Sequence, residues 1–269
     1  MEFELLLLIG LFAGVLAGLL GIGGGIIFTP VLYFLFDEQG VENPVLWTIG
    51  SGLFCTFVAA VGGTVRQYIQ DNFYLKEGVF LGVLGMIGIF LGKQIITSPY
   101  YNREAFVIFF SCMLLYAAFM LFQRGRDKTD ERSRTFSVIG FKTAFITGGI
   151  GGFVAALAGV GGGGIMVPMM NLFFKQPFKK SVSVSQLAMV IMVCSGWVQL
   201  AFLSPMDVGI TIVTYGYVDF GASLPLSIGG LCGGFVGALW NQKINRTYLQ
   251  WGFALLAFVM ASRLIWSII

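Results

Sequence analysis

Two glycine clusters are the segments of this sequence whose chemistry best suits ligand binding. Each is a run of glycines inside an apolar segment, and a proline follows within five residues of its end. The glycines are Gly23, Gly24 and Gly25 in the first cluster and Gly161, Gly162 and Gly163 in the second. Glycine and proline are poor helix formers, so we expect one helix to end and another to begin at each cluster. The first amides of a helix lack partners within it and carry the positive end of its dipole, so each break could bind an anion without a charged side chain.

Three polar side chains in apolar segments are further candidates for binding this anion. They are Ser51, Ser185 and Gln186. Hydroxyl and amide donors suit an oxyanion that must be released again, but the same groups also form hydrogen bonds between helices in membranes. Both interpretations remain open at this point. Cys55 and Cys194 lie in the same two segments, where packing of small residues is the favoured interpretation.

Other functional classes have little support in the sequence. Histidine is absent, no Cys-x-x-Cys pair occurs, and no nucleophile with a familiar base or phosphate-binding loop is found, so we expect no enzyme, cofactor or metal site. The net charge of +3 does not indicate nucleic-acid binding. The expected partners are a small anionic substrate and the lipid bilayer.

Composition predicts an all-α integral membrane protein. Apolar residues make up 57% of the 269 residues and charged residues 11%, whereas soluble domains contain about 25% charged residues. A helix that spans a bilayer needs about 20 mostly apolar residues. The apolar runs are approximately 5–36, 45–65, 77–97, 105–123, 138–174, 181–203, 220–240 and 248–269.

The sequence contains two related halves. Residues 12–36 and 150–174 match at a constant offset of 138, which aligns the two glycine clusters and their prolines. Ser51 aligns with Ser185 in the following run. Further aligned glycines, which we assign to helix packing, are Gly85, Gly88 and Gly92 with Gly230, Gly233 and Gly237. We therefore predict membrane repeats at 1–123 and 138–269, joined by a charged cytoplasmic linker at 124–137.

Basic residues favour a re-entrant first segment in each half. Residues 5–36 as one helix would be about 48 Å long, which exceeds a hydrocarbon core of about 30 Å. If each first run turns at its glycines and leaves on the same side, each half has three crossings and the two repeats are inverted. The acidic residues of 37–42, Asp207 and Asp219 then fall on the outer face. Thirteen basic residues lie on the inner side and three on the other, as the positive-inside rule expects. The outer three are Lys93, Arg103 and Arg263.

The duplicated segments GLFAGVLAGLLGIGGGIIFTPVL and GGFVAALAGVGGGGIMVPMM resemble the signature of the sulfite exporter TauE/SafE family, also described as toluenesulfonate uptake permeases. The segment Gly216-Tyr217-Val218-Asp219 looks like a further family feature. The resemblance spans nearly the whole chain. It implies a secondary transporter of small sulfur-containing oxyanions, such as sulfite or organosulfonates, in the cytoplasmic membrane.

The predicted function is thus transport by alternating access, with the anion between the two breaks. A passive anion channel of the same architecture and a membrane-embedded sulfur-handling subunit are the alternatives. One departure from the family pattern lies at the predicted site. The run Ser183-Val-Ser-Gln186 stands where family members commonly show a Gly-Thr-Ser-like run.

Overall fold

The computed structural model describes residues 3–20, 24–126, 139–205, 209–240 and 246–266, and these form a helical bundle. The helices of the first half are α1 (Phe3–Leu20), α2 (Gly25–Glu38), α3 (Pro44–Ile69), α4 (Leu75–Ile96) and α5 (Arg103–Arg126). Those of the second half are α6 (Phe141–Ala158), α7 (Gly163–Pro168), α8 (Phe178–Ala201), α9 (Phe220–Trp240) and α10 (Arg246–Trp266). A π-helical turn, Met169–Phe173, continues α7, and two short antiparallel strands, β1 (Thr214–Tyr215) and β2 (Val218–Asp219), precede α9.

The described helices fit the predicted all-α membrane protein. Five of them, namely α3, α4, α5, α6 and α8, are long and apolar enough to cross a membrane. Both first runs are divided in two, because α1 ends before the first glycine cluster and α2 begins at Gly25, while α6 ends at Ala158 and α7 begins at Gly163. Most of the predicted linker lies outside the described residues, since only 124–126 belong to α5.

Glycines join the two halves in matching pairs of helices. A Cβ at Gly10 or Gly14 of α1 would collide with the backbone carbonyl of Leu226 or Gly230 of α9. The other half has the same contact between α6 and α4. A Cβ at Gly148 or Gly152 of α6 would meet the carbonyl of Leu81 or Gly85 of α4. The two glycines lie 138 residues after Gly10 and Gly14, and the two carbonyls lie 145 residues before those of Leu226 and Gly230. The first helix of each half therefore packs on the fourth helix of the other half, in the same register. Small residues allow this close approach of backbones.

These contacts also give the direction of the helices. Residue numbers rise together along the α1–α9 contact and along the α4–α6 contact, so each pair is parallel. Helices α3 and α8 are antiparallel. Asn72, just after the end of α3, bonds to Lys179 at the start of α8. Tyr217, whose amide bonds to Leu200 near the end of α8, lies against Gly50 near the start of α3.

Charged residues meet at opposite ends of the bundle. At the end that we call the linker side, Lys180 Nζ lies 2.7 Å from Glu77 Oε1, which also accepts a bond from the Ile139 amide. At the opposite side, Arg103 pairs with Asp37 at 2.9 Å and Arg263 lies 3.7 Å from Glu38. Arg103 and Arg263, which the basic-residue argument assigned to the outer side, thus pair with Asp37 and Glu38, which it assigned to the same side.

Asp219 is fully buried, although the sequence suggested only a place on the outer face. Its carboxylate caps the first turn of α9, because Oδ1 accepts a bond from the Ala222 amide at 3.0 Å. The Thr211 amide donates to Oδ2 at 3.0 Å, and the Thr211 hydroxyl donates to Oδ1. These donors compensate for burial of the carboxylate, so it orders the chain before α9.

Candidate functional site

The break of the second half is built from glycines in a left-handed conformation. Gly159, with φ of 67°, caps the C-terminus of α6, and Gly162, also with φ of 67°, precedes α7. A side chain at Gly162 would also collide with the Gly151 carbonyl. Both positions therefore require glycine.

Tyr101 stabilises the end of α6 at this break. Its hydroxyl donates to the Leu157 carbonyl at 2.8 Å, one of the last carbonyls of the helix, which have no partner within it. Tyr101 belongs to the connection between α4 and α5, and burial raises the pKa of its phenol above the ordinary value. The hydroxyl therefore stays protonated and keeps donating at every physiological pH.

The break of the first half has a different backbone. Gly24 precedes α2 with φ of −70°, an ordinary right-handed conformation, although its repeat partner Gly162 is left-handed. Gly24 accepts bonds from the amides of Ile27 and Phe28 at 3.0 Å, which starts α2. Gly23 lies outside the described residues.

The two breaks come together in the structure. The Thr29 hydroxyl of α2 donates to the Gly159 carbonyl at 3.0 Å, which links α2 to the break of the other half. A Cβ at Gly25 would lie 2.7 Å from Cγ1 of Val160, so the first residue of α2 packs directly on that break. Gly52 of α3 faces the same carbonyl of Gly159. The sequence predicted an anion site between the breaks, and the described backbone provides that juxtaposition.

Thr56 of α3 stands where the breaks meet, and the sequence reasoning missed it. A Cβ at Gly25 would lie 2.7 Å from the Thr56 hydroxyl oxygen, and one at Gly161 would collide with the Thr56 methyl group. Thr56 is buried and its hydroxyl has no hydrogen-bond partner among the described residues. It lies twelve residues after the start of α3 and thirteen before its end, so the breaks meet at about half the height of this long helix. The sequence feature that could have indicated Thr56 is a hydroxyl in the middle of the apolar run that follows a glycine cluster.

An apolar crevice lies beside this meeting point. Its lining includes Ile26 from the start of α2 and Gly164 and Ile165 from the start of α7. Met113 and Tyr116 of α5 line it from the other side. Both helix starts therefore border one crevice.

The predicted serines do not come together. The Ser51 hydroxyl accepts a bond from the Asp219 amide at 3.0 Å, and the Ser185 hydroxyl donates to the Val182 carbonyl at 3.0 Å. Each lies seven residues into its helix, about 10 Å from the end, and α3 and α8 are antiparallel. Ser51 therefore lies toward the side opposite the linker and Ser185 toward the linker side. Their role in binding stays a prediction.

Gln186 and the cysteines have distinct surroundings. Gln186 faces Gly63 of α3, where an added Cβ would lie 2.5 Å from Oε1, and this oxygen has no partner among the described residues. Cys55 is fully buried, and its thiol lies 3.5 Å from the Ser223 carbonyl. Cys194 is only partly buried. The packing proposed for Cys55 agrees with this environment. No group of three metal-ligating side chains occurs among the described residues.

Comparison with known families shows which family this chain belongs to. A sequence profile of the sulfite exporter TauE/SafE family matches residues 6–264, which is nearly the whole chain. The chain belongs to the TauE/SafE family. The resemblance inferred from the glycine segments is thereby confirmed, and the chain is a multi-pass membrane transporter.

Several relatives of this chain carry one general description. A "Probable membrane transporter protein" of Methanocaldococcus jannaschii is 27% identical over 256 residues, covering 93% of this chain and 92% of the relative. One of Haemophilus influenzae is 28% identical over 269 residues, with 96% of each chain covered. A third, from Bacillus subtilis, is 26% identical over 265 residues, with 91% and 90% covered. These names describe membrane transporters, and they specify no substrate.

Proposed function

We propose that this TauE/SafE protein is a secondary transporter that moves a small sulfur-containing oxyanion, of the sulfite or organosulfonate type, across the cytoplasmic membrane by alternating access. The observation that carries the proposal is the meeting of the two glycine breaks at mid-height of α3. Helix starts at the middle of a bilayer direct unpaired amides and positive dipole ends toward an anion.

The proposed site is made mainly of backbone. Its members are Gly24, Gly25, Gly161, Gly162 and Gly163, with Gly23 predicted from the sequence and Ser51, Ser185 and Gln186 as candidate side chains. A side chain at Gly25 or Gly161 would collide with Thr56, so glycine lets the backbone of both breaks approach this side chain closely. Binding through backbone amides is moderate in strength, which suits a transporter because it must release its substrate.

Inverted repeats provide the mechanism of alternation. The antiparallel course of α3 and α8 and the matching α1–α9 and α4–α6 contacts support this inversion. In each half, the helix before the break runs parallel to a helix of the other half. The segment after the break ends in the first half next to Asp37, which pairs with Arg103 opposite the linker, and in the second half just before α8, whose Lys180 lies at the linker side. This course supports a re-entrant hairpin with both ends on one side of the membrane. Irregular backbone at membrane depth is tolerated where it is buried in protein or lines a cavity.

Proteoliposome flux tests the proposed function. Purified protein should support uptake of labelled sulfite that saturates with concentration, and internal unlabelled sulfite should accelerate the uptake by counterflow. Counterflow requires a carrier that reorients with its substrate. Rapid flux without saturation or counterflow would contradict alternating access and indicate a passive anion channel. Protein-free vesicles provide the control.

A further inference from the structure

Thr56 is the side chain most directly placed to bind a ligand at the meeting of the two breaks. We propose that its hydroxyl donates a hydrogen bond to one oxygen of the transported anion, and that the site accepts singly charged anions. This inference rests on the proposed transport function and adds a specific ligand group and a charge preference to it.

The environment of the hydroxyl supports this assignment. Serine and threonine in a helix commonly donate to a carbonyl three or four residues earlier. Ser185 does so with Val182, and Ser227 does so with Ser223. Thr56 has no such bond among the described residues, and its hydroxyl oxygen is fully enclosed, next to the first residue of α2. A buried hydroxyl without a partner costs free energy. Its position at an anion-favouring helix start indicates that it serves a ligand.

Other buried hydroxyls lack this placement. Thr48 of α3 is also buried and without a partner among the described residues, but it lies eight residues earlier, about 12 Å along the helix axis. Thr147 of α6 lies eleven residues before the end of its helix. Thr48 is therefore a matched control, because it has the same side chain on the same helix.

Only one repeat supplies this hydroxyl. The offset of 134 that aligns Ser51 with Ser185 aligns Thr56 with Val190, a side chain of nearly the same shape without a donor. A protein that needed only the packing volume would be served equally by valine at both positions. The difference gives the site a side-chain donor that the other repeat does not match.

The charge preference follows from the surroundings of Thr56. The described neighbours of Thr56 and the breaks, such as Gly25, Val160 and Met189, are uncharged. Arg66 is the nearest charged residue along α3, about 15 Å away by helical rise. The cost of desolvating an ion grows with the square of its charge, and dipoles alone compensate poorly for a double charge. A singly charged oxyanion therefore fits this site, whereas a doubly charged one does not.

Calorimetric titration of the purified full-length protein tests the proposal. Methanesulfonate serves as the singly charged probe and sulfate as the doubly charged one. The wild-type protein should bind methanesulfonate and bind sulfate at least about tenfold more weakly. Thr56→Val should weaken methanesulfonate binding about tenfold to a hundredfold, as expected for one hydrogen bond to a charged group. Thr56→Ser should restore affinity close to the wild type, and Thr48→Val should leave it unchanged.

The contrary outcomes are separable. If the wild-type protein binds neither methanesulfonate nor sulfite, the proposed function fails and takes this inference with it. If the wild type binds methanesulfonate and Thr56→Val binds it equally well, Thr56 is not a ligand while the transport function stands. Equal affinity for sulfate would overturn the charge preference. Melting curves verify that each variant is folded, and Thr56→Ala replaces the valine variant if that one is not.

Discussion

Replacing Glu77 with glutamine should destabilise the bundle strongly. Glu77 Oε1 lies 2.7 Å from Lys180 Nζ, and the two side chains are only 14% and 4% exposed. Glutamine keeps the shape and an acceptor oxygen for the Ile139 amide, but it removes the negative charge that neutralises the buried ammonium group. Losing one partner of a buried pair costs about 3–5 kcal/mol. For a chain of this size that corresponds to a melting temperature about 6–10 °C lower, at about 2 °C per kcal/mol.

Thermal unfolding of the purified variants in detergent measures this effect. The double variant Glu77→Gln/Lys180→Met should recover most of the lost stability, because no buried charge is then left without its counter-charge. Glu38→Gln is the control, since its pair with Arg263 is about two-thirds exposed and should contribute nothing measurable. A Glu77→Gln variant with the melting temperature of the wild type would refute this reasoning. So would a double variant that is less stable than both Glu77→Gln and Lys180→Met alone.

Three further predictions concern topology and the breaks. A C-terminal reporter that works only in the cytoplasm should stay silent, while the same reporter inserted at 124–137 should be active. Reporter activity at the C-terminus would contradict the re-entrant arrangement. Gly162→Leu should abolish sulfite flux in proteoliposomes, because the backbone at Gly162 is left-handed and a side chain there would collide with the Gly151 carbonyl. Gly149→Ala is the control and should retain flux, since a Cβ at Gly149 meets nothing within 4 Å. Normal flux in Gly162→Leu would show that the binding site lies elsewhere. Ser51→Ala should weaken sulfite binding about tenfold or more. It should also lower the melting temperature, because the Asp219 amide loses its acceptor. Lower stability with an unchanged Kd would limit Ser51 to a structural role.

Much of the fold was predictable because membrane helices are encoded in local composition. Length and hydropathy located the spans, and glycine with proline located both breaks to within a few residues. The packing role of Gly85 and Gly230 was also predictable, because the repeat aligned them and neither lies in a glycine run that is followed by a proline. The structure bears this out, since both lie in the contacts between the first helix of one half and the fourth helix of the other.

The composition of the candidate site was harder to predict, because it depends on which side of a helix faces the other half. Ser51 and Ser185 align in sequence, yet the antiparallel course of α3 and α8 places them toward opposite sides of the bundle. Thr56 has no polar repeat partner, so alignment of the halves could not reveal it. Asp219 was expected on the outer face, and only the contacts show a buried helix cap.

Diffraction from crystals of the full-length protein grown with selenite would show where the anion binds. Selenite resembles sulfite in shape and charge, and selenium gives an anomalous signal that reports its position. We predict an anomalous peak between the break at Gly25 and the break at Gly161, placed so that a selenite oxygen accepts a hydrogen bond from the Thr56 hydroxyl. A peak at the charged ends of the bundle, with none between the breaks, would contradict it.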